Sequence, residues 1–161
     1  MRLIKKNLIL TYLSLMVGFS CSPKLIPASS IKNGNLTTYK YIYINPTTSL
    51  TSSSGTMING QYFSASKSVN PSDVIFGTLS KQGLIRLPEL KQELSEETLI
   101  VNYGESGRRS VGLGGYTIEV TIQFVSAKTN SLVCSCTAEG IGSTEADDIR
   151  EAITRCLDEL K

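Results

Sequence analysis

Residues 115–160 read GYTIEVTIQFVSAKTNSLVCSCTAEGIGSTEADDIREAITRCLDEL, and this stretch decides the fold. Apolar and polar residues alternate from Tyr116 to Phe124, which predicts a strand with one buried face. Leu132 to Ala138 alternates in the same way. Because the inward-facing residues of both strands carry even numbers, we expect a hairpin with an odd-length loop, Lys128–Asn130, and a left-handed Asn130.

The stretch from Thr144 to Leu160 has the pattern of an amphipathic helix. Thr144 is a favourable N-cap, and the acidic residues of the first turn complement the positive end of the helix dipole. The apolar stripe consists of Ile149, Ile153, Cys156, Leu157 and Leu160. We expect this stripe to cover the apolar face of the hairpin, while the polar face of the sheet meets water.

The segments before this hairpin predict further strands and helices. Residues 38–45 alternate like a strand, the Ser/Thr-rich residues 46–55 are predicted as a loop, and Asn59-Gly60 predicts a tight hairpin turn. A helix is expected to begin after an Asn70 cap and to stop at Gly83. Farther along, residues 88–97 predict a short second helix and residues 98–104 a buried strand.

The start of the chain has the pattern of a bacterial lipoprotein signal. Arg2, Lys5 and Lys6 precede a 12-residue apolar run, which is shorter than the roughly 20 residues that a bilayer-spanning helix needs. Cys21 follows directly, so residues 1–20 are predicted to be cleaved and Cys21 to be lipidated; ordinary secretion is the alternative. Residues 21–37 are expected to carry the lipid on a flexible tether, followed by a single domain over 38–161.

The charge balance and the missing histidines exclude several classes of function. The chain has 16 Lys+Arg, 14 Asp+Glu and no His. The near balance gives no reason to expect a nucleic-acid partner. Without histidine, Ser-His and Cys-His nucleophile pairs and His metal sites cannot form. We therefore expect no catalytic set, no metal and no cofactor.

Three cysteines remain once Cys21 is assigned to the lipid. Cys134, Cys136 and Cys156 all face inward by their periodicity, so at most one disulfide within the chain can form, with Cys156 paired to either of the others. Three small buried apolar side chains are the preferred interpretation. A site of three thiolates for a metal is disfavoured, because no histidine completes it.

Other polar groups suggest binding rather than chemistry. Residues 104–115 are rich in glycine and include Arg108 and Arg109, which could hold an anion or a partner, although the spacing fits no phosphate-binding fingerprint. An acidic group could bind a divalent cation, but helix capping is the preferred interpretation: Glu139, Glu145, Asp147 and Asp148.

A tyrosine stripe is the last candidate surface. Tyr39, Tyr41 and Tyr43 share one face of the strand over residues 38–45, and Ile42 and Ile44 share the other. If the isoleucines face the helices, the tyrosines lie on the open face of the sheet and can anchor a partner. If the register is reversed, they belong to the core.

The chain resembles a family of small, Bacteroidetes-like bacterial lipoproteins of unknown function. The matching stretches are Asn70–Leu87, Leu99–Tyr103 and Gly115–Leu160. The last includes Leu132-Val133-Cys134-Ser135-Cys136-Thr137-Ala138-Glu139-Gly140, which is similar to the family's typical Leu-Val-x-x-x-Ala-x-Gly. Similar α/β domains occur in the amino-terminal part of the Tol-system protein TolB and in lipoprotein activators of peptidoglycan synthases. Those relatives bind partners, and the resemblance implies the same here.

Together these observations predict an α+β domain of two layers, with a mixed sheet, helices mainly on one face and the C-terminal helix on the long hairpin. The function expected is a non-catalytic lipoprotein of the cell envelope, anchored to the outer membrane and facing the periplasm, that binds another envelope component. Two alternatives are a hydrolase acting on glycans through carboxylates, and a purely structural envelope lipoprotein.

Overall fold

Two helices pack on one face of a six-stranded sheet in the computed structural model, which describes residues 23–112 and 115–161. In chain order the strands and helices are β1 (Ser29–Lys32), β2 (Tyr41–Ile44), β3 (Leu50–Ile58), β4 (Gln61–Val69), α1 (Pro71–Leu79), β5 (Ile85–Arg86), β6 (Thr98–Gly112), β7 (Gly115–Ser126), β8 (Leu132–Gly140) and α2 (Glu145–Glu159). The predicted α+β architecture is confirmed, including a C-terminal helix on the β7–β8 hairpin.

The large sheet is mixed and has the strand order β1-β8-β7-β6-β2-β5. The four strands from β1 to β6 in this order are antiparallel, whereas β2 runs parallel to both β6 and β5. The connection from β2 to β5 contains the separate β3–β4 hairpin and α1. Both helices lie on the same face of the sheet, because α2 contacts β7, β8 and α1.

The core lies between α2 and the inward-facing side chains of β7 and β8. Ile118, Val120, Ile122 and Phe124 are fully buried, as the alternation predicts. The helix stripe meets them with Ile149, Ile153, Cys156 and Leu157, all buried. Leu160, at the end of the stripe, is only partly buried against this core.

The turn between β7 and β8 differs from the predicted odd-length loop. The core pairs Val120–Ala138, Ile122–Cys136 and Phe124–Cys134 have the expected register, but the next pair is Val125–Leu132. Val133 is therefore an extra residue in β8 and forms a β-bulge. Its carbonyl accepts hydrogen bonds from the amides of Asn33 and Gly34, which follow β1. Asn130 is left-handed as predicted, with φ 55°.

The helix predicted to start at Asn70 is confirmed. The Asn70 side chain accepts a hydrogen bond from the Ser72 amide, and Pro71 occupies the first turn of α1. A short 3₁₀ segment then leads to Gly83, which has φ 89°. The short helix predicted over 88–97 is also a 3₁₀ helix and covers only Gln92–Glu97.

The chain that precedes the predicted domain contributes a strand, so the tether assignment for 21–37 needs correction. β1 pairs with β8 from Ser29–Thr137 to Lys32–Cys134, and a 3₁₀ turn follows at Leu36–Thr38. This edge strand is held mainly by its pairing with β8, Lys32 also donates to the Lys161 carbonyl, and its side chains are mostly exposed. A polar four-residue strand of this kind has no periodicity that sequence analysis could detect.

Two predicted loops are strands. Residues 50–55 of the Ser/Thr-rich segment belong to β3, which pairs with β4 across a turn at Asn59 and Gly60, both with positive φ. The glycine-rich residues 104–112 continue β6 beyond the predicted strand, with register shifts between Glu105 and Gly107 and between Ser110 and Gly112. Pairing with β7 supplies the order that the local sequence lacks.

Candidate functional site

A buried carboxylate fixes the chain where it joins the domain. Arg109 donates to Glu139 through Nε and Nη2, each at 2.7 Å, and the Glu139 side chain is only 4% exposed. Glu139 also accepts hydrogen bonds from the Ile26 amide at 2.9 Å and from the Thr117 hydroxyl at 3.2 Å. The hydrogen bond from Arg109 is the largest contribution and lowers the pKa of Glu139 to about 2. Burial is the next largest contribution and opposes this shift, because it favours the neutral carboxyl.

The same network holds the segment before β1. Arg109 Nη2 donates to the Lys24 carbonyl at 3.2 Å, and Arg155 of α2 donates to the Ile26 carbonyl at 2.9 Å. Arg155 also donates to the carbonyl of Glu139. The chain therefore enters the domain beside the end of β8 and the end of β6.

The two predicted anion-binding arginines both have carboxylate partners. Arg108 forms an ion pair with Glu145 and lies over the ring of Tyr116, with 5.2 Å from Cζ to the ring centroid. Arg109 is engaged by Glu139. An incoming anion would have to compete with these carboxylates, so anion binding at this pair stays a prediction.

The acidic residues around the start of α2 act as caps and ion-pair partners. Asp147 accepts from Lys67 at 2.7 Å and from Ser143 at 2.6 Å, and the hydrogen bond from Lys67 is the main cause that lowers its pKa. Asp148 accepts from the Gly142 amide, and burial raises its pKa. Within residues 23–112 and 115–161, no cluster of three or more acidic or cysteine ligands is suited to hold a metal ion.

Two of the three cysteines are bonded to each other. Cys136 of β8 and Cys156 of α2 form a disulfide, with their Cα atoms 5.3 Å apart. Cys134 is free and buried, and burial raises the pKa of its thiol to about 11. It lines a cavity of about 540 Å³ together with Leu36 and Leu160. The preferred sequence interpretation was therefore wrong for two of the three cysteines, since β8 lies directly under α2.

The tyrosines lie in two environments. Ile42 and Ile44 are buried in the core, so Tyr41 and Tyr43 lie half-buried on the face of the sheet opposite the helices. Tyr39 precedes the strand and packs against the core, so it does not continue the stripe. The register places further apolar side chains beside the two tyrosines. We call this group the outer-face patch: Tyr41, Tyr43, Ile85, Ile100 and Val125.

A second exposed apolar surface was not predicted. The β3–β4 hairpin forms its own two-stranded sheet and extends away from the domain; we call residues 50–69 the arm. Large apolar side chains are exposed at its tip: Met57 (70%), Ile58 (54%), Tyr62 (70%) and Phe63 (53%). The sequence signals were the Asn59-Gly60 turn and the near absence of charge in this segment.

Comparisons with known proteins find similarity of fold. No protein-family model matches the chain, and no curated protein sequence matches it. A variant of the PelC dodecamer from Paraburkholderia phytofirmans (space group C2) is similar, with a TM-score of 0.50 and 14% identity over 83% of this chain and 95% of that chain. The PelC dodecamer from the same organism in space group P6 has a TM-score of 0.43 and 15% identity, over 85% and 94% of the two chains. At 14% identity the first similarity shows a shared fold and nothing about function. The TM-score of the second is too low to support a conclusion.

Proposed function

We propose that this chain is a non-catalytic lipoprotein of the cell envelope, anchored through Cys21 to the outer membrane and facing the periplasm, which acts by binding another envelope protein. Cys21 and residues 1–20 lie outside the described residues, so the sequence pattern supports the anchor. Among the described residues, no helix is long and apolar enough to cross a membrane. A lipid on the first mature cysteine would supply membrane attachment by itself.

The outer-face patch is the observation that carries the binding function. Tyr41 is paired with Ile85, and Tyr43 with Ile100, which is in turn opposite Val125. Both helices lie on the other face, and these side chains lie on four neighbouring strands, where Ile85 is exposed and the others are partly buried. Tyrosine and isoleucine side chains on a rigid sheet are well suited to anchor a protein partner.

We propose a second copy of this chain as the first partner. A structural neighbour of similar length is described as a dodecamer, which supports assembly of domains with this fold. Self-association through a sheet face needs no additional protein and would arrange several anchored copies side by side.

Light scattering of the acylated full chain in detergent tests this proposal. We expect a mass above that of one chain, and a shift to the monomer for the double variant Tyr43→Ser, Ile100→Ser. Ile31→Ser is the matched control, because Ile31 is 57% exposed at the far edge of the same sheet. A monomeric wild type, or equal loss of assembly in the control, would contradict binding of a second copy at this patch.

The anchor is tested separately by intact mass and membrane partition. The wild type should carry a lipid-sized mass on residue 21, and Cys21→Ala should lose both this mass and its membrane association. An unchanged variant would show that the chain is secreted without a lipid at this position.

A further inference from the structure

We propose that the tip of the arm inserts into the surface of a lipid bilayer, at the depth of the headgroups and the first part of the acyl chains. This inference rests on the proposed anchor, because the anchor decides which end of the domain faces the membrane. It adds a second contact with the membrane that is independent of the lipid chemistry at Cys21.

The arm leaves the domain at the beginning of α2. The hydroxyl of Ser52 accepts a hydrogen bond from the Ala146 amide at 3.0 Å, and Lys67 of the opposite strand pairs with Asp147 at 2.7 Å. Leu50, at the base of β3, packs against the core. Beyond the Ser52–Lys67 pair, every described side chain of the arm is exposed. The six residues beyond Ser52, residues 53–58, correspond to about 20 Å of strand.

The tip is apolar on both of its faces. Met57 and Tyr62 are paired and lie on one face, whereas Ile58 and Phe63 lie on the other, because side chains alternate along a strand. A protein surface would cover one face of such a hairpin and leave the other in water. A bilayer surrounds the tip on all sides, and therefore fits this distribution better.

The rest of the arm is compatible with a lipid surface. Lys67 is the only charged residue in the arm, and it lies at the base. Asn59 and Gly60 form the turn, whose polar backbone groups need water or headgroup partners. This requirement limits the insertion to the interfacial zone, where tyrosine is also favourable.

The point where the chain joins the domain lies at the same end as the arm. Lys24 and Ile26 are held by Arg109 and Arg155 beside the end of β8, which leads directly to the start of α2. Cys21 is three residues before Lys24 and can lie at most about 11 Å from it. A lipid on Cys21 therefore brings the membrane to the end of the domain from which the arm extends.

A single tryptophan makes this contact measurable, because the natural chain contains none. The acylated full chain with Tyr62→Trp is reconstituted in phosphatidylethanolamine/phosphatidylglycerol vesicles whose acyl chains carry bromine at a defined depth. The matched control is Thr129→Trp, an exposed position in the β7–β8 turn at the opposite end of the sheet. Both variants keep the net charge of the chain.

We expect a blue-shifted emission and several-fold stronger bromine quenching for Tyr62→Trp than for Thr129→Trp. Adding Met57→Ser and Phe63→Ser to Tyr62→Trp should reduce its quenching to the level of the control. Because these side chains lie outside the core, the urea midpoint of the triple variant should not change, which separates loss of insertion from loss of folding.

Two outcomes would overturn the inference, and a third would contradict only the anchor. Equal quenching at both positions in a chain whose mass includes the lipid would show an anchored domain with a free arm. A blue shift that needs no vesicles and increases with protein concentration would show that a second copy covers the tip. Quenching at residue 62 without a lipid mass would instead contradict the anchor and leave the arm as the membrane contact.

Discussion

The β7–β8 hairpin and the arm have similar turn signals in the sequence, but the first is buried on one face and the second is exposed. Each consists of two long antiparallel strands joined by a turn with a left-handed asparagine, Asn130 in one and Asn59 in the other. In β7 four successive inward-facing side chains are fully buried, whereas β4 is exposed at every residue except Val69. The difference teaches that a turn signal specifies a hairpin, while the covering layer decides whether it becomes core.

The same substitution in the two hairpins should give the largest contrast. Phe124 is fully buried and Phe63 is 53% exposed. Phe124→Ala should lower the free energy of unfolding by about 3–5 kcal/mol through lost burial and a cavity. Phe63→Ala should change it by less than about 0.5 kcal/mol. Urea denaturation of the full chain measures both, and similar losses would mean that the arm is covered in solution.

The close contact of β8 with α2 gives the second test, since α2 packs on β8 but meets the arm at its base, through Ser52 and Lys67. A Cβ at Gly140 would overlap the backbone of Asp148 and Ala152, so Gly140→Ala should destabilise the fold by more than about 3 kcal/mol. Gly77→Ala is the control, because a Cβ there has open space within α1, and it should stabilise by up to about 1 kcal/mol. A tolerated Gly140→Ala would place α2 farther from the sheet.

The disulfide closes the covered hairpin covalently, and nothing comparable holds the arm. Cys136 and Cys156 are 20 residues apart, so removing the bond should cost about 3 kcal/mol. Reduction, or the double variant Cys136→Ala, Cys156→Ala, should lower the midpoint of thermal unfolding accordingly. In the Cys134→Ala variant, reductant should still lower the midpoint of thermal unfolding. If reductant has no effect on this variant, Cys134 is part of the disulfide.

Acid should weaken the network that Glu139 forms at the end of β8. Because the pKa of Glu139 is about 2 in the fold and 4.5 in the unfolded reference, its stabilisation is complete above pH 4.5 and is lost as the pH falls toward 2. That shift corresponds to roughly 3 kcal/mol. We expect Glu139→Gln to be less stable than wild type at pH 7, with the two unfolding free energies converging near pH 2.

Glu119→Gln serves as the control for this pH series. Glu119 is paired across the ladder with Glu139, but its carboxylate accepts from the Ser106 hydroxyl. At pH 7 this variant should lose less stability than Glu139→Gln, because the hydrogen bond from Ser106 is exposed to solvent. A constant offset for Glu139→Gln across the series would show that the Arg109 pair does not depend on the charge of Glu139.

Sequence reasoning succeeded where local pattern and tertiary burial agree. The even-numbered residues Ile118–Phe124 and Cys134–Ala138, the Thr144 cap of α2 and the Asn70 cap of α1 lie as predicted, because each signal acts within a few residues. Tyr116 is 37% exposed, and Leu132 pairs with Val125 on the outer face. β1 and the outer part of β6 escaped detection. Their order comes from backbone pairing with β8 and β7, which leaves no apolar periodicity in their own sequences.

The candidate surfaces also differ in whether they depend on local sequence or on contacts between distant residues. The sequence left open which face Tyr41 and Tyr43 occupy, and the burial of Ile42 and Ile44 places them opposite the helices. The pairing of Arg109 with Glu139 did not follow, because the two residues are 30 positions apart and meet only across β6, β7 and β8. For the arm, the sequence predicts a loop and a small hairpin, since its first half is rich in serine and has no apolar alternation.

The sequence alone determined the class of fold and the face on which α2 packs, since both depend on local order along the chain, and it predicts a lipid anchor at Cys21. Only the tertiary structure decided that Cys156 bonds to Cys136, that Glu139 holds the start of the domain and that the arm extends uncovered with an apolar tip. These features depend on which distant segments meet, and that choice is made by the burial of the whole core.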